Sequence, residues 1–167
     1  MKVGLLQGVS TVSKLIRFQT RSVYSHACLL LEDTGEVIEA WHKPLFRGGV
    51  YRSHSLSQLH TLGTAVDVFD VTAHWDRTKS MQWLCELLDS NPEYDFRSVF
   101  RFLSRTEGKD DSKWFCSELV AEFFRQGGLE LVKAHSHDIS PRDLYLSPYL
   151  VYRDTAIVGR KGEFCCG

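Results

Sequence analysis

The chain of 167 residues has no apolar run long enough to cross a membrane as a helix. Its first ten residues hold one lysine and only the short apolar stretch Val3 to Leu6, too brief for a secretory signal, so a cytoplasmic location is expected. There is no excess of either charge, the formal net charge being −1, which excludes a broad nucleic-acid surface and gives no general attraction to anionic membranes. No G-x-G-x-x-G or Walker pattern is present, so phosphate-cradling loops are not expected. The five cysteines, at 28, 85, 116, 165 and 166, are odd in number and lack C-x-x-C spacing, which argues against both a disulfide framework and a zinc ribbon. Cys165-Cys166-Gly167 matches no standard C-a-a-X lipidation pattern. The seven histidines suggest the metal sets His26, Cys28 and His42, or His135 and His137 with a carboxylate, but neither has an established ligand spacing. No metal and no other cofactor is expected.

What is present is an ordinary globular composition, 43% hydrophobic and 25% charged, with no repeat and no domain boundary. One domain spanning 1–167 is expected. Val3 to Leu6 reads as a buried strand, and Ser10 caps a helix over about 11–19. Lys14, Arg17 and Arg21 lie on or just after that helix and read as a solvated face, with contact to an anionic substrate group as the alternative. Tyr24 to Glu32 and Glu36 to His42, around Asp33-Thr34-Gly35, read as an antiparallel hairpin. Val50 is placed in a probable edge strand, 53–62 in a crossing segment of undecided type, and 65–71 in an alternating strand. Helices are expected over 74–88, around 96–103 and after residue 115, then a short turn at Ser140-Pro141 to Leu144 and one or two closing strands.

Lys113-Trp114-Phe115-Cys116-Ser117-Glu118-Leu119-Val120 is the most informative stretch. Leu119, Val120, Phe123 and Phe124 recur at helical spacing, Gly127-Gly128 ends the run, and Asp110, Asp111 and Ser112 supply start signals. Cys116 thereby falls in a first helical turn, where unpaired N–H groups and the helix dipole favour an anion. Most free cysteines are simply small buried hydrophobes, so a nucleophile also requires a positioned base.

His26 is the candidate base, on the strand face it shares with Tyr24, Cys28 and Leu30. A two- or four-residue hairpin loop sets Glu39 on that face, whereas a three-residue loop sets Ile38, Ala40 and His42 there. The loop length is open, and with it whether Glu39 or His42 orients the imidazole. A carboxylate hydrogen-bonded to one ring nitrogen would fix the tautomer and stabilise the imidazolium.

Tyr-Ser-His-Ala, then Val-Ile-Glu-Ala, then about ninety residues later Phe-Cys-Ser-Glu-Leu-Val opening a helix, resembles the circularly permuted branch of the NlpC-type papain-like superfamily, which includes YiiX-like and YebB-like proteins. In that branch the histidine strand precedes the cysteine helix, as His26 precedes Cys116. The resemblance implies an α+β fold with an antiparallel sheet packed on the cysteine helix, and a cysteine peptidase or amidase working through Cys116, His26 and Glu39. Its substrates would be peptide, amide or lipid-like molecules; neither nucleic acid nor stable membrane insertion is implied, and the oligomeric state is open. The Asn-Cys-Glu-His signature of the related lecithin:retinol acyltransferase-like enzymes is absent, so acyl transfer between lipids is less favoured; the alternatives are a lipid-directed acyl hydrolase or acyltransferase on the same fold, or a non-enzymatic binding module that uses the same groove.

Overall fold

In the computed structural model, residues 1–41, 49–90, 93–94, 113–134 and 139–159 are described. His42, His135, His137, Asp110, Asp111, Ser112, Cys165, Cys166 and the helix expected around 96–103 lie outside them. The elements run β1 (Lys2–Gln7), α1 (Thr11–Thr20), β2 (His26–Leu31), β3 (Glu36–Trp41), β4 (Gly49–Ser53), a 3-10 turn (Leu56–Gln58), β5 (Ala65–Val71), α2 (Arg77–Ser90), β6 (Glu93–Tyr94), β7 (Lys113–Trp114), α3 (Cys116–Gln126), α4 (Pro141–Tyr145) and β8 (Leu150–Ile157). The fold is α+β. One sheet takes the order β7-β6-β4-β3-β2-β1-β5-β8, antiparallel except for the two-residue β6–β7 pair, with helices packed on it.

The register of β2 on β3 pairs Leu29 with Ile38, Leu30 with Val37 and Leu31 with Glu36, leaving Glu32 to Gly35 as a four-residue loop. Even positions of β2 therefore face odd positions of β3, which puts His26 and Glu39 on one side. Gly35 turns the chain at φ 67°, a conformation that residues with a Cβ seldom adopt. Gly4, on β1, is required for a different reason, since a Cβ there would lie 2.7 Å from Cys28 Sγ.

The central strands β1, β2 and β3 are buried on both faces. Ala27, Leu29 and Leu31 join Val3, Leu5, Ile38 and Phe69 against Leu119, Val120, Phe123 and Phe124 of α3. Cys28 and Leu30 join Leu6, Val37, Val66 and Val68 beneath Leu56 and Val158. Trp75 meets Phe123 and Phe124 edge-on, with centroids 5.5 and 4.9 Å apart, so the residues leading into α2 hold α3 against the sheet.

Two local expectations change and a third is narrowed. The helix read as starting at 74 starts at Arg77, because Asp76 Oδ1 accepts the N–H of Lys79 and acts as the cap. The strand containing Val50 is not an edge, because β4 has β3 on one side and β6 on the other. Of the one or two closing strands expected, the described residues hold one, β8, whose pairing with β5 is interrupted by an irregularity between Val68 and Phe69. Among the described residues no helix is long and apolar enough to cross a membrane.

Candidate active site

Cys116 is the first residue of α3. Phe115 precedes it in extended conformation, and Glu118 Oε2 accepts the Phe115 N–H at 3.2 Å, closing the N-terminus from inside the helix. Ser117 Oγ donates to the Ile139 carbonyl at 2.5 Å, which ties the first turn to the segment before α4. The turn that carries the sulfur is thus fixed at two points, and its leading N–H groups are the ones with no partner inside an α-helix.

His26 opens β2, and the Cys116 sulfur is close enough to its imidazole to act on the ring's charge. Its Nε2 lies 2.7 Å from Glu39 Oε2, which leaves Nδ1 for the sulfur. All three groups are buried, with Cys116 1%, His26 5% and Glu39 0% exposed. Burial opposes charge on His26, but the facing Cys116 sulfur and the Glu39 carboxylate outweigh it and lift the imidazolium to about 10. Burial likewise opposes charge on Glu39, and the hydrogen bonds from His26 and His60 outweigh that and hold the carboxyl well below its ordinary range. The pair is therefore an imidazolium beside a carboxylate at neutral pH.

The structure brings Cys116, His26 and Glu39 together and adds two residues that sequence reasoning had not assigned to the site. His60 follows the 3-10 turn, and its Nε2 lies 2.6 Å from the same Oε2 of Glu39. Trp41 ends β3, and its ring stands edge-on to both imidazoles, at 4.8 Å from His26 and 4.7 Å from His60. Trp41 was in reach of the sequence, because it is two residues beyond Glu39 and so shares its face. His60 carried no such signal. The other carboxylate oxygen, Glu39 Oε1, is buried and accepts no hydrogen bond among the described residues.

Cys28 shares the face of His26, yet it is a packing residue. Burial, followed by the charges of Glu39 and Cys116, pushes its thiol well above the ordinary value. Cys85 is exposed on α2, remote in sequence from any of these groups.

The donor atoms of His26, Glu39 and His60 all lie within 4.8 Å of one another, which is the compass of a metal site. Both Nε2 atoms, however, sit at hydrogen-bond distance from one carboxylate oxygen, closer than the roughly 3.3 Å that separates neighbouring ligands of a tetrahedral zinc ion. That spacing is the geometry of two donors on one acceptor. A cavity of about 760 Å³ lies elsewhere, bounded by Arg125, Leu131, Leu146 and Tyr149, and none of the cysteine–histidine groups lines it.

No family profile matches the sequence, and no curated protein matches it. Among solved structures the chain is similar to the metalloprotein yiiX from Escherichia coli O157:H7, with a TM-score of 0.47 and 14% identity, covering 93% of this chain and 96% of that one.

Proposed function

We propose that this protein is a cysteine-dependent acyl hydrolase, a peptidase or amidase of the papain-like type. The observation that carries the reading is the buried cluster in which the His26 ring, its Nε2 2.7 Å from Glu39 Oε2, interacts electrostatically with the Cys116 sulfur. In this reading His26 holds the proton of the Cys116 thiol, and the thiolate attacks a carbonyl carbon. First-turn N–H groups of α3 receive the oxyanion. As the tetrahedral intermediate collapses, His26 passes its proton to the leaving amine or alcohol, and the acyl group stays on sulfur as a thioester. His26 then takes a proton from water, the hydroxide displaces the sulfur, and the acid leaves with the thiol restored. Glu39 holds the ring through both steps, and His60 holds Glu39.

The same residues serve a peptide, another amide or an ester, because nucleophile and base act on the acyl carbon alone. A fluorophosphonate-free, thiol-directed electrophile tests the reading on protein carrying Cys85→Ser, Cys165→Ser and Cys166→Ser. The expected result is rapid labelling that disappears in Cys116→Ala and slows sharply in His26→Ala. Labelling that survives Cys116→Ala, or that ignores His26, would falsify the proposal.

A further inference from the structure

The near-zero net charge conceals a segregation. Residues 1–31 contain no aspartate or glutamate, although the chain has 21 of them, and they include Lys2, Lys14, Arg17 and Arg21. Three of those four cations belong to α1 or to the residue that caps it.

The helix is also inverted with respect to the usual burial pattern. Phe18 is 82% exposed and Leu15, one turn before it, is 50% exposed, while Val23 beyond the helix is 57% exposed. Ile16 points the other way and packs on Phe115 and Cys116. The outward arc therefore carries Leu15 and Phe18, with exposed Lys14 and Arg21 beside them, three or four residues from Phe18 and so on its side of the helix. The apolar surface continues onto α4, where Tyr145 and Leu146 are half or more exposed. Arg142 Nη1 meets the Thr20 carbonyl at 3.5 Å, and Tyr145 lies 5.3 Å from Tyr24, so the end of α1 and α4 are neighbours.

We propose that this arc docks the protein onto anionic phospholipid bilayers. Phe18 and Leu15 enter the boundary between headgroups and acyl chains, and Lys14, Arg17 and Arg21 meet the lipid phosphates. An exposed aromatic and an aliphatic side chain flanked by cations, without any acid, is the composition of a helix that lies in a membrane interface. A second copy of the chain fits the surface poorly, since symmetric pairing across α1 would set its cations against each other. A peptide partner fits poorly as well, since protruding side chains offer no groove. The docking is independent of whether Cys116 is a nucleophile.

The test is cosedimentation of the full chain, under reducing conditions, with vesicles of phosphatidylcholine alone and with about a quarter phosphatidylglycerol. Wild type should pellet with the mixed vesicles and not with phosphatidylcholine, and binding should fall as salt is raised. Phe18→Ser should weaken binding on the order of tenfold. The combined Lys14→Gln, Arg17→Gln and Arg21→Gln variant should weaken it on the order of a hundredfold. Circular dichroism checks that each variant is folded, and if one is not, the other decides. Wild type that stays in the supernatant, equal binding to both vesicles, or folded variants that bind like wild type overturns the proposal. So does a light-scattering mass showing that Phe18→Ser turns a dimer into a monomer, because the arc is then a subunit interface.

Discussion

The Nε2 atoms of His26 and His60 meet at a single oxygen, Oε2 of Glu39, at 2.7 and 2.6 Å. Each ring donates its Nε2–H to that one oxygen, which fixes the orientation of both rings. For His26 that leaves Nδ1 to face Cys116. In the proposed mechanism His60 would act on Cys116 at second hand, by holding the carboxylate that holds His26.

Replacing His60 with alanine removes one of two donors to a buried carboxylate, a hydrogen bond to a charged group. Its loss should lower turnover by about tenfold to a hundredfold. Cys116 should remain the labelled residue, since His26 and its bond to Glu39 persist. The measurement is the labelling rate against pH in His60→Ala and His60→Gln. The role assigned to His60 predicts an altered profile in the first and partial recovery in the second, whose amide can donate to the same oxygen. A purely structural His60 would change melting temperature with the pH profile intact.

Glu39 is fully buried between its two histidines, so the substitution Glu39→Ala leaves an imidazolium with no anion on that side. Breaking a buried pair by removing one partner costs about 3–5 kcal/mol. Denaturant melts should show that loss in Glu39→Ala and a smaller one in Glu39→Gln, which keeps an oxygen to accept one N–H. Equal stability of wild type and Glu39→Ala at neutral pH would show that the carboxylate does not stabilise the charged ring.

Much of this arrangement was legible in the sequence, and what was missed has physical causes. The alternation through Tyr24–Glu32 and Glu36–His42 identifies the hairpin, and the spacing of Leu119, Val120, Phe123 and Phe124 identifies the helix that opens at Cys116. Asp33-Thr34-Gly35 is compatible with more than one loop length, so the side on which Glu39 lies had to come from the observed register. His60 is 21 residues from Glu39 in a segment with no helical or strand period, and only tertiary contact brings it to the carboxylate. Burial of both faces of the central strands was also hidden, because the cover over Cys28 and Leu30 comes from Leu56 and Val158, far apart in the following chain.

The charge states predict a stability window. His26 is raised from an ordinary value of 6.5 to about 10, so its stabilising contribution is complete below about 6.5 and lost as pH rises toward 10. Glu39 is lowered from 4.5, so its contribution is complete above about 4.5 and lost as pH falls below that value. Both are fully present only between about 4.5 and 6.5. The melting temperature, followed against pH, should decline on either side of that interval. In His26→Gln the alkaline decline should flatten, because the group that loses its proton is gone; an unchanged alkaline limb would assign the decline to another residue.

Access to the sulfur yields the last prediction. Cys116 is 1% exposed, and among the described residues the apolar side chains clustered with it are Phe115, its own neighbour, and Ile16 from the inward side of α1. An acyl group or electrophile that enters from the α1 side must displace Ile16. Ile16→Ala removes part of that cover from a partly buried position without touching the bond between His26 and Glu39. In protein lacking Cys85, Cys165 and Cys166, a bulky thiol reagent should react with Ile16→Ala on the order of tenfold faster than with the parent, as expected when about two methylenes' worth of cover is removed. A small reagent should show a lesser gain, because it needs less room. Equal acceleration of both reagents would point instead to a change in the reactivity of the sulfur, and no acceleration of either would place the barrier to entry in some element other than α1.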